Sequence, residues 1–234
     1  VKQPEKMFTG SFMGSVDHET HRENFEQKLT SGKDLDLDWM LARYEANWDF
    51  VLQDRGEPEW ERNDPDEMRT RGLGMVEAYH SLISPGLQPV RVEERFEEVI
   101  DGVQLPLVGY MDLQTSGRIV ERKTSNKKIS KPKPEWRFQA RVYQLVADLP
   151  TEWHVVTSQE EPRIYTPENE PALFLDKGDP DAIVRVIQQT VQRLDDLYQR
   201  YGPDQSWPTE GLFHPFLCDY CSFKDWGCPA WTVP

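Results

Sequence analysis

Asp112, Glu121 and Lys123 fall within the run from Val108 to Thr124, which reads as one β-hairpin. Leu107, Val108, Tyr110, Leu113, Ile119 and Val120 are strand formers, and Ser116-Gly117 between them suits a tight turn with φ > 0 at the glycine. The reversal brings Asp112 beside the strand carrying Glu121 and Lys123. Alternation along that strand puts Glu121 and Lys123 on one face and Arg122 on the other. Two carboxylates and an amine converging in this way suit metal-dependent phosphodiester cleavage. Hard cations such as Mg²⁺ or Mn²⁺ take oxygen ligands and keep several waters, so two carboxylates plus substrate phosphate oxygens suffice. The cation would polarise the phosphate and acidify a water. Lys123 would orient that water, stabilise developing charge, or act as a base if its pKa is depressed. The same pattern also suits a surface hairpin with a cross-strand ion pair.

Four motifs in order extend the reading. Gly109 to Asp112 resembles the Gly-x-x-Asp of the PD-(D/E)XK nuclease superfamily, in its RecB-like exonuclease branch, and Glu121 to Ser125 resembles that branch's acid-x-Lys-Thr-Ser. Gln139 to Tyr143 matches its Gln-x-x-x-Tyr, and Gly14 to His18 resembles the Gly-x-x-x-His that opens a helix. The resemblance runs from Gly14 to Cys228. It implies that Asp112, Glu121 and His18 bind metal, that Lys123 is catalytic, and that Gln139 and Tyr143 support the lysine and contact DNA. From the residues alone, a histidine in the polar stretch 17–28 is more often a solvated helix residue than a ligand, and His21, three positions on, competes with His18. The default reading of Gln139 and Tyr143, again from the residues alone, is a half-buried pair packing on the sheet. Glu93 resembles an acid preceding the hairpin, and Glu94 fits nearly as well.

The formal net charge of −14 and a pI near 4.8 argue against unspecific adhesion to polyanions. Yet Arg118, Arg122, Lys123, Lys127, Lys128, Lys131, Lys133, Arg137 and Arg141 crowd a segment whose only acids are Glu121 and Glu135. Lys127, Lys128 and Lys131 are candidate phosphate contacts, and Trp136 and Phe138 beside them suit stacking on unpaired bases or core packing. The acidic remainder would focus DNA onto a narrow track.

All three cysteines lie near the C-terminal end, at Cys218, Cys221 and Cys228. An odd number at this spacing reads as metal ligation in a reducing compartment rather than a disulfide framework. The resemblance implies a [4Fe-4S] cluster whose fourth cysteine stands far upstream, and this chain has none there. Val1 in place of methionine points to a sequence that starts inside a longer polypeptide, whose upstream part would then supply the fourth ligand, or to an engineered start; otherwise His214 completes a Cys₃His zinc site. Three small hydrophobes among Phe213, Phe216, Phe223, Trp226 and Trp231 are the structural alternative.

Hydrophobic periodicity predicts helices over 17–29, 34–52, 66–82, 135–147 and 179–201, and strands over 90–100, 103–114, 118–123, 153–157 and 163–165, with a turn at Asp101-Gly102. That order gives an α/β fold, a central mixed β-sheet flanked by helices, with an N-terminal helical elaboration and a C-terminal cysteine-containing segment. The resemblance makes its core restriction-endonuclease-like, with the helical region arching over the site. The expected organisation is one integrated domain: a helical part over 1–88, a catalytic core over 89–201 and a cysteine clasp over 202–234. Residues 57–66, rich in charge and proline, read as a mobile surface loop. No apolar run approaches the roughly 18 residues that span a bilayer, and no signal peptide opens the chain, so a cytoplasmic protein is expected. The reading is a Mg²⁺- or Mn²⁺-dependent DNA exonuclease acting on ends or single strands, in recombination, repair or phage DNA processing. Its rival is a non-catalytic nucleic-acid-binding or recombination scaffold that keeps the fold.

Overall fold

A computed structural model describes residues 7–60 and 62–202. Five helices and six strands follow one another as α1 (Thr9–Ser31), α2 (Leu37–Arg55), α3 (Pro65–Leu82), β1 (Arg91–Glu98), β2 (Leu107–Gln114), β3 (Ile119–Ser125), α4 (Pro134–Ala147), β4 (Thr151–Thr157), β5 (Ile164–Tyr165), β6 (Phe174–Leu175) and α5 (Pro180–Tyr201). Met7–Val184 form one compact unit, and the described residues from Arg185 on belong to a second. In the first unit the sheet runs β1-β2-β3-β4-β5, with β6 also pairing to β4. Only β3 and β4 are parallel, and α4 is the crossover that parallel strands require.

Helix ends follow local chemistry. The Asp64 side chain accepts hydrogen bonds from the Asp66 and Glu67 amides, with Pro65 occupying the first turn of α3. Gly32 closes α1 at φ 70°, its N–H bonded to the Lys28 carbonyl. The start of α1 departs from expectation, because the helix begins at Thr9 rather than at position 17. Phe12, Met13 and Val16 are buried and supply the packing that carries the helix through Gly10 and Gly14. The 57–66 segment also differs. Phe8 bridges Glu59, and Trp60 stacks on Trp48 with ring centroids 5.7 Å apart, so the loop is pinned to the helices by its aromatic residue.

The sheet separates two hydrophobic layers. On one face Phe12, Val16, Met40, Trp48, Met75 and Val76 from α1 to α3 meet Leu113, Val120 and Val156. On the other, Ala140 of α4 meets Trp153, Val155, Leu173 and Leu175. Each large apolar side chain fully buried there contributes about 1.5–3 kcal/mol. All seven residues of β4 are buried, as a strand covered on both faces must be. The turn at 116–117 forms, with the Thr115 amide on the Arg118 carbonyl at 2.9 Å, but Gly117 does not need a positive φ to make it. Gly102 does, at φ 75° in the β1–β2 connection.

Candidate active site

The β2–β3 ladder is short. It pairs Leu113 with Val120 and Gln114 with Ile119, and one step further the strands part at Asp112 and Glu121. There the Arg122 amide donates to Asp112 Oδ2 at 3.3 Å. Alternation along β3 is as expected. Glu121 and Lys123 point towards α4, while Val120 and Arg122 point towards α1 and α3.

On the α4 side the side chains form a chain of donors and acceptors. Lys123 Nζ donates to Glu121 Oε1 at 2.6 Å and to Gln139 Oε1 at 3.2 Å, and Gln139 Nε2 donates to the Tyr143 hydroxyl at 2.6 Å. Glutamine suits the middle position because its amide both accepts and donates. Gln139 and Tyr143 are one turn apart on α4, which places both over β3.

Helix α1 brings His18 to the same end of the sheet. His18 Nε2 lies 2.9 Å from Glu93 Oε1, and its Nδ1 lies 3.9 Å from Asp112 Oδ2. Ligand atoms of His18, Glu93 and Asp112 all fall within 4.8 Å of one another. The choice between Glu93 and Glu94 is made by the backbone. The β1–β2 ladder pairs Val92 with Leu113 and Glu94 with Met111, and skips the Glu93–Asp112 position between them. Glu93 sits there at φ 48°, a conformation that non-glycine residues rarely adopt and that costs about 1–3 kcal/mol. Glu94 instead pairs with Arg91 at 2.7 Å on the surface. His21 is separated from the site. It is fully buried, 3.6 Å from Asp17 Oδ1 and edge-on to Tyr79.

The electrostatics of this cluster are dominated by crowded, buried carboxylates. Burial pushes Glu121 up to about 8, the Asp112 carboxylate adds to the rise, and Lys123 opposes it. Burial also raises Asp112, against the pull of His18 and Lys123. Burial lowers His18, but its hydrogen bond to Glu93 and the Asp112 charge carry it above the ordinary value. Glu121 Oε2 is buried without a hydrogen-bond partner. Glu93, Asp112 and Glu121 set three carboxyl groups against one ammonium and one imidazole, and only Glu93 and Asp112 share the 4.8 Å cluster with His18. A divalent cation with oxygen and imidazole ligands fits this donor set.

The basic run divides. Arg122 turns away to pair with Asp17, Arg118 pairs with Glu152 at 3.0 Å, and Arg141 binds Gln144 and the Asp176 carbonyl. Those three are structural, contrary to a continuous basic surface. Lys127, Lys128 and Lys131 are exposed, and Lys128 is paired with Glu170 beside the Tyr165 ring. Lys133 and Lys123 both lie over Trp136, at 5.3 and 5.9 Å from its centroid. Cys218, Cys221, Cys228 and His214 lie outside the described residues.

The model of the PD-(D/E)XK nuclease superfamily matches residues 4–229, nearly the full sequence. The chain belongs to that superfamily. Glu121-Arg122-Lys123 supplies the (D/E)XK triplet of the name, whereas Met111 stands where the name has proline before the aspartate. No curated protein matches the sequence. Among solved structures, this nuclease-superfamily chain is similar to SSO0001, at 14% identity and a TM-score of 0.46, covering 100% of this chain and 90% of that one. It is also similar to a candidate exonuclease from Eubacterium rectale, at 13% identity and a TM-score of 0.45, covering 82% of this chain and 80% of that one. Among the described residues no helix is long and apolar enough to cross a membrane.

Proposed function

We propose that this chain is a Mg²⁺- or Mn²⁺-dependent DNA exonuclease of the RecB-like type, with Asp112, Glu121 and His18 as metal ligands, Glu93 as a further ligand, and Lys123 as the catalytic amine. The observation that carries the reading is the meeting of His18, Glu93 and Asp112 beside the buried, unpartnered Glu121 Oε2 at the point where β2 and β3 part. When bound, the cation would supply positive charge opposite the scissile phosphate and acidify the attacking water.

The residues do the rest. Lys123, held by Glu121 and Gln139, has a third N–H with which to orient the water or meet charge on the phosphate. Gln139 fixes the lysine's position, and Tyr143 fixes the glutamine. His18 is about one-third exposed, so substrate can reach this side of the cluster. Lys127, Lys131 and Lys133 would grip the phosphates of the strand, with Trp136 offering a base-stacking face. The three cysteines would ligate a [4Fe-4S] cluster, which anaerobic preparation would reveal as broad visible absorption. A colourless protein holding stoichiometric zinc would favour the His214 alternative.

End-labelled single- and double-stranded DNA incubated with Mg²⁺, Mn²⁺ or EDTA tests the reading. Release of short products from ends with either cation, abolished by EDTA, is expected. Binding of DNA without metal-dependent cleavage would instead make the chain a scaffold module.

A further inference from the structure

Directly behind the candidate site lies a buried ion pair that the proposed chemistry does not use. Arg122 reaches from the rear face of β3 to Asp17 of α1, and the two side chains are 7% and 4% exposed. The guanidinium also lies 4.5 Å from the Tyr79 ring centroid of α3. Tyr79 in turn bonds His154 Nδ1 at 2.8 Å, and His154 Nε2 is 2.9 Å from Glu152. A polar seam therefore runs between α1, α3 and the sheet through an otherwise apolar interface.

As a source of stability this pair is poorly made. Arg122 Nε and Asp17 Oδ1 have no hydrogen-bond partner, so part of the desolvation cost goes uncompensated. Buried pairs of this kind are commonly matched or bettered by apolar residues of similar volume. What an apolar pair lacks is direction. Phe12, Met13 and Val16 bury α1 against the sheet, and such packing tolerates rearrangement if volume is kept. A guanidinium meeting a carboxylate does not.

The sequence positions give that direction a use. Asp17 immediately precedes His18, and Arg122 stands between Glu121 and Lys123. On a helix, adjacent residues are about 100° apart, so fixing Asp17 towards the sheet turns His18 out towards Asp112. Arg122 simultaneously donates its amide to Asp112 Oδ2. One residue thus holds the helix by its side chain and the opposite strand by its backbone.

We infer that Arg122 and Asp17 are positioning residues, whose ion pair sets the rotation of α1 and so holds His18 against Asp112; the inference rests on the metal-dependent reading above. The test compares full-length wild-type protein with Arg122→Met, the double variant Asp17→Leu/Arg122→Met, and Arg122→Lys. For each, Mn²⁺ affinity is measured by electron paramagnetic resonance, thermal midpoint by calorimetry, and kcat and KM on single-stranded DNA. Arg122→Met is expected to lose both stability and Mn²⁺ affinity. The double variant is expected to regain its thermal midpoint while Mn²⁺ affinity and kcat stay about 10–100-fold down, the scale for losing a residue that orients a ligand. Arg122→Lys, which keeps charge but not the planar fork, is expected to lie between wild type and Arg122→Met in Mn²⁺ affinity. A double variant with wild-type Mn²⁺ affinity and kcat would reduce the pair to packing and overturn the inference. Should the double variant not fold, wild-type Mn²⁺ affinity and kcat in Arg122→Met would overturn it equally. Wild-type protein that neither binds Mn²⁺ nor cleaves DNA would instead remove the nuclease reading on which the inference stands.

Discussion

On the α4 side of β3, Glu121 and Lys123 stand at the end of the sheet where Asp112, Glu93 and His18 of α1 meet, and three carboxyl groups face one ammonium and one imidazole. On the opposite side, Arg122 meets one carboxylate, one aromatic face and a histidine that burial and Arg122 itself hold well below its usual pKa. Both sides bury charge and both leave polar atoms without hydrogen bonds. The difference is net charge. The rear cluster is close to neutral and needs nothing from outside, whereas the front cluster carries surplus anionic oxygen that only a cation or protons can relieve. Two residues adjacent in sequence thereby serve a candidate reaction centre and a structural seam, separated by the thickness of one strand.

That contrast can be broken by experiment. Asp112→Ala removes a proposed ligand from the front, and cleavage should fall by about 10³-fold or more, beyond the range for one stabilising donor, with Mn²⁺ binding lost and the circular dichroism spectrum kept. Lys123→Met should lower kcat by about 10²–10⁴-fold yet leave Mn²⁺ bound, separating the amine's role from the ligands'. Full activity of either variant would sink the front-face assignment. Gln139→Ala should cost about 10–100-fold in kcat, because it frees Lys123 without removing it. The smallest effect belongs to the rear. Tyr79→Phe keeps the ring beneath Arg122 and loses only the hydroxyl bond to His154, so urea unfolding should register about 1 kcal/mol while cleavage stays within about twofold. A larger loss of cleavage there than in Gln139→Ala would mean that the two faces are not separable.

Much of this arrangement is legible in the sequence. Periodic stretches give α2 to α5 within about three residues at each end, whereas α1 starts eight residues before its expected position, and β3's alternation assigns Glu121, Arg122 and Lys123 to their faces. What escaped depends on tertiary context. Glu93 and Glu94 are chemically identical neighbours, and the left-handed backbone at Glu93 that decides between them is imposed by the sheet. His18 and His21 are separated only by which side of α1 the sheet covers. The Arg122–Asp17 pair joins residues 105 apart in sequence, so a run of basic side chains read as one surface is in fact partly interior. Phe174 and Leu175 form a strand only because β4 offers its edge.

The glycine before His18 has a consequence of its own. A Cβ at Gly14 would stand 3.1 Å from Thr124 Oγ1, so α1 and β3 meet closely here. His18 follows four residues later, about 6 Å further along the helix axis. The interval works as a ruler: the glycine is the zero mark resting on the strand, and the histidine is the graduation that falls over the carboxylates. A methyl group at the zero mark would be a shim of a few tenths of an ångström, taken up either by the Thr124 hydroxyl or by the reading at the far end.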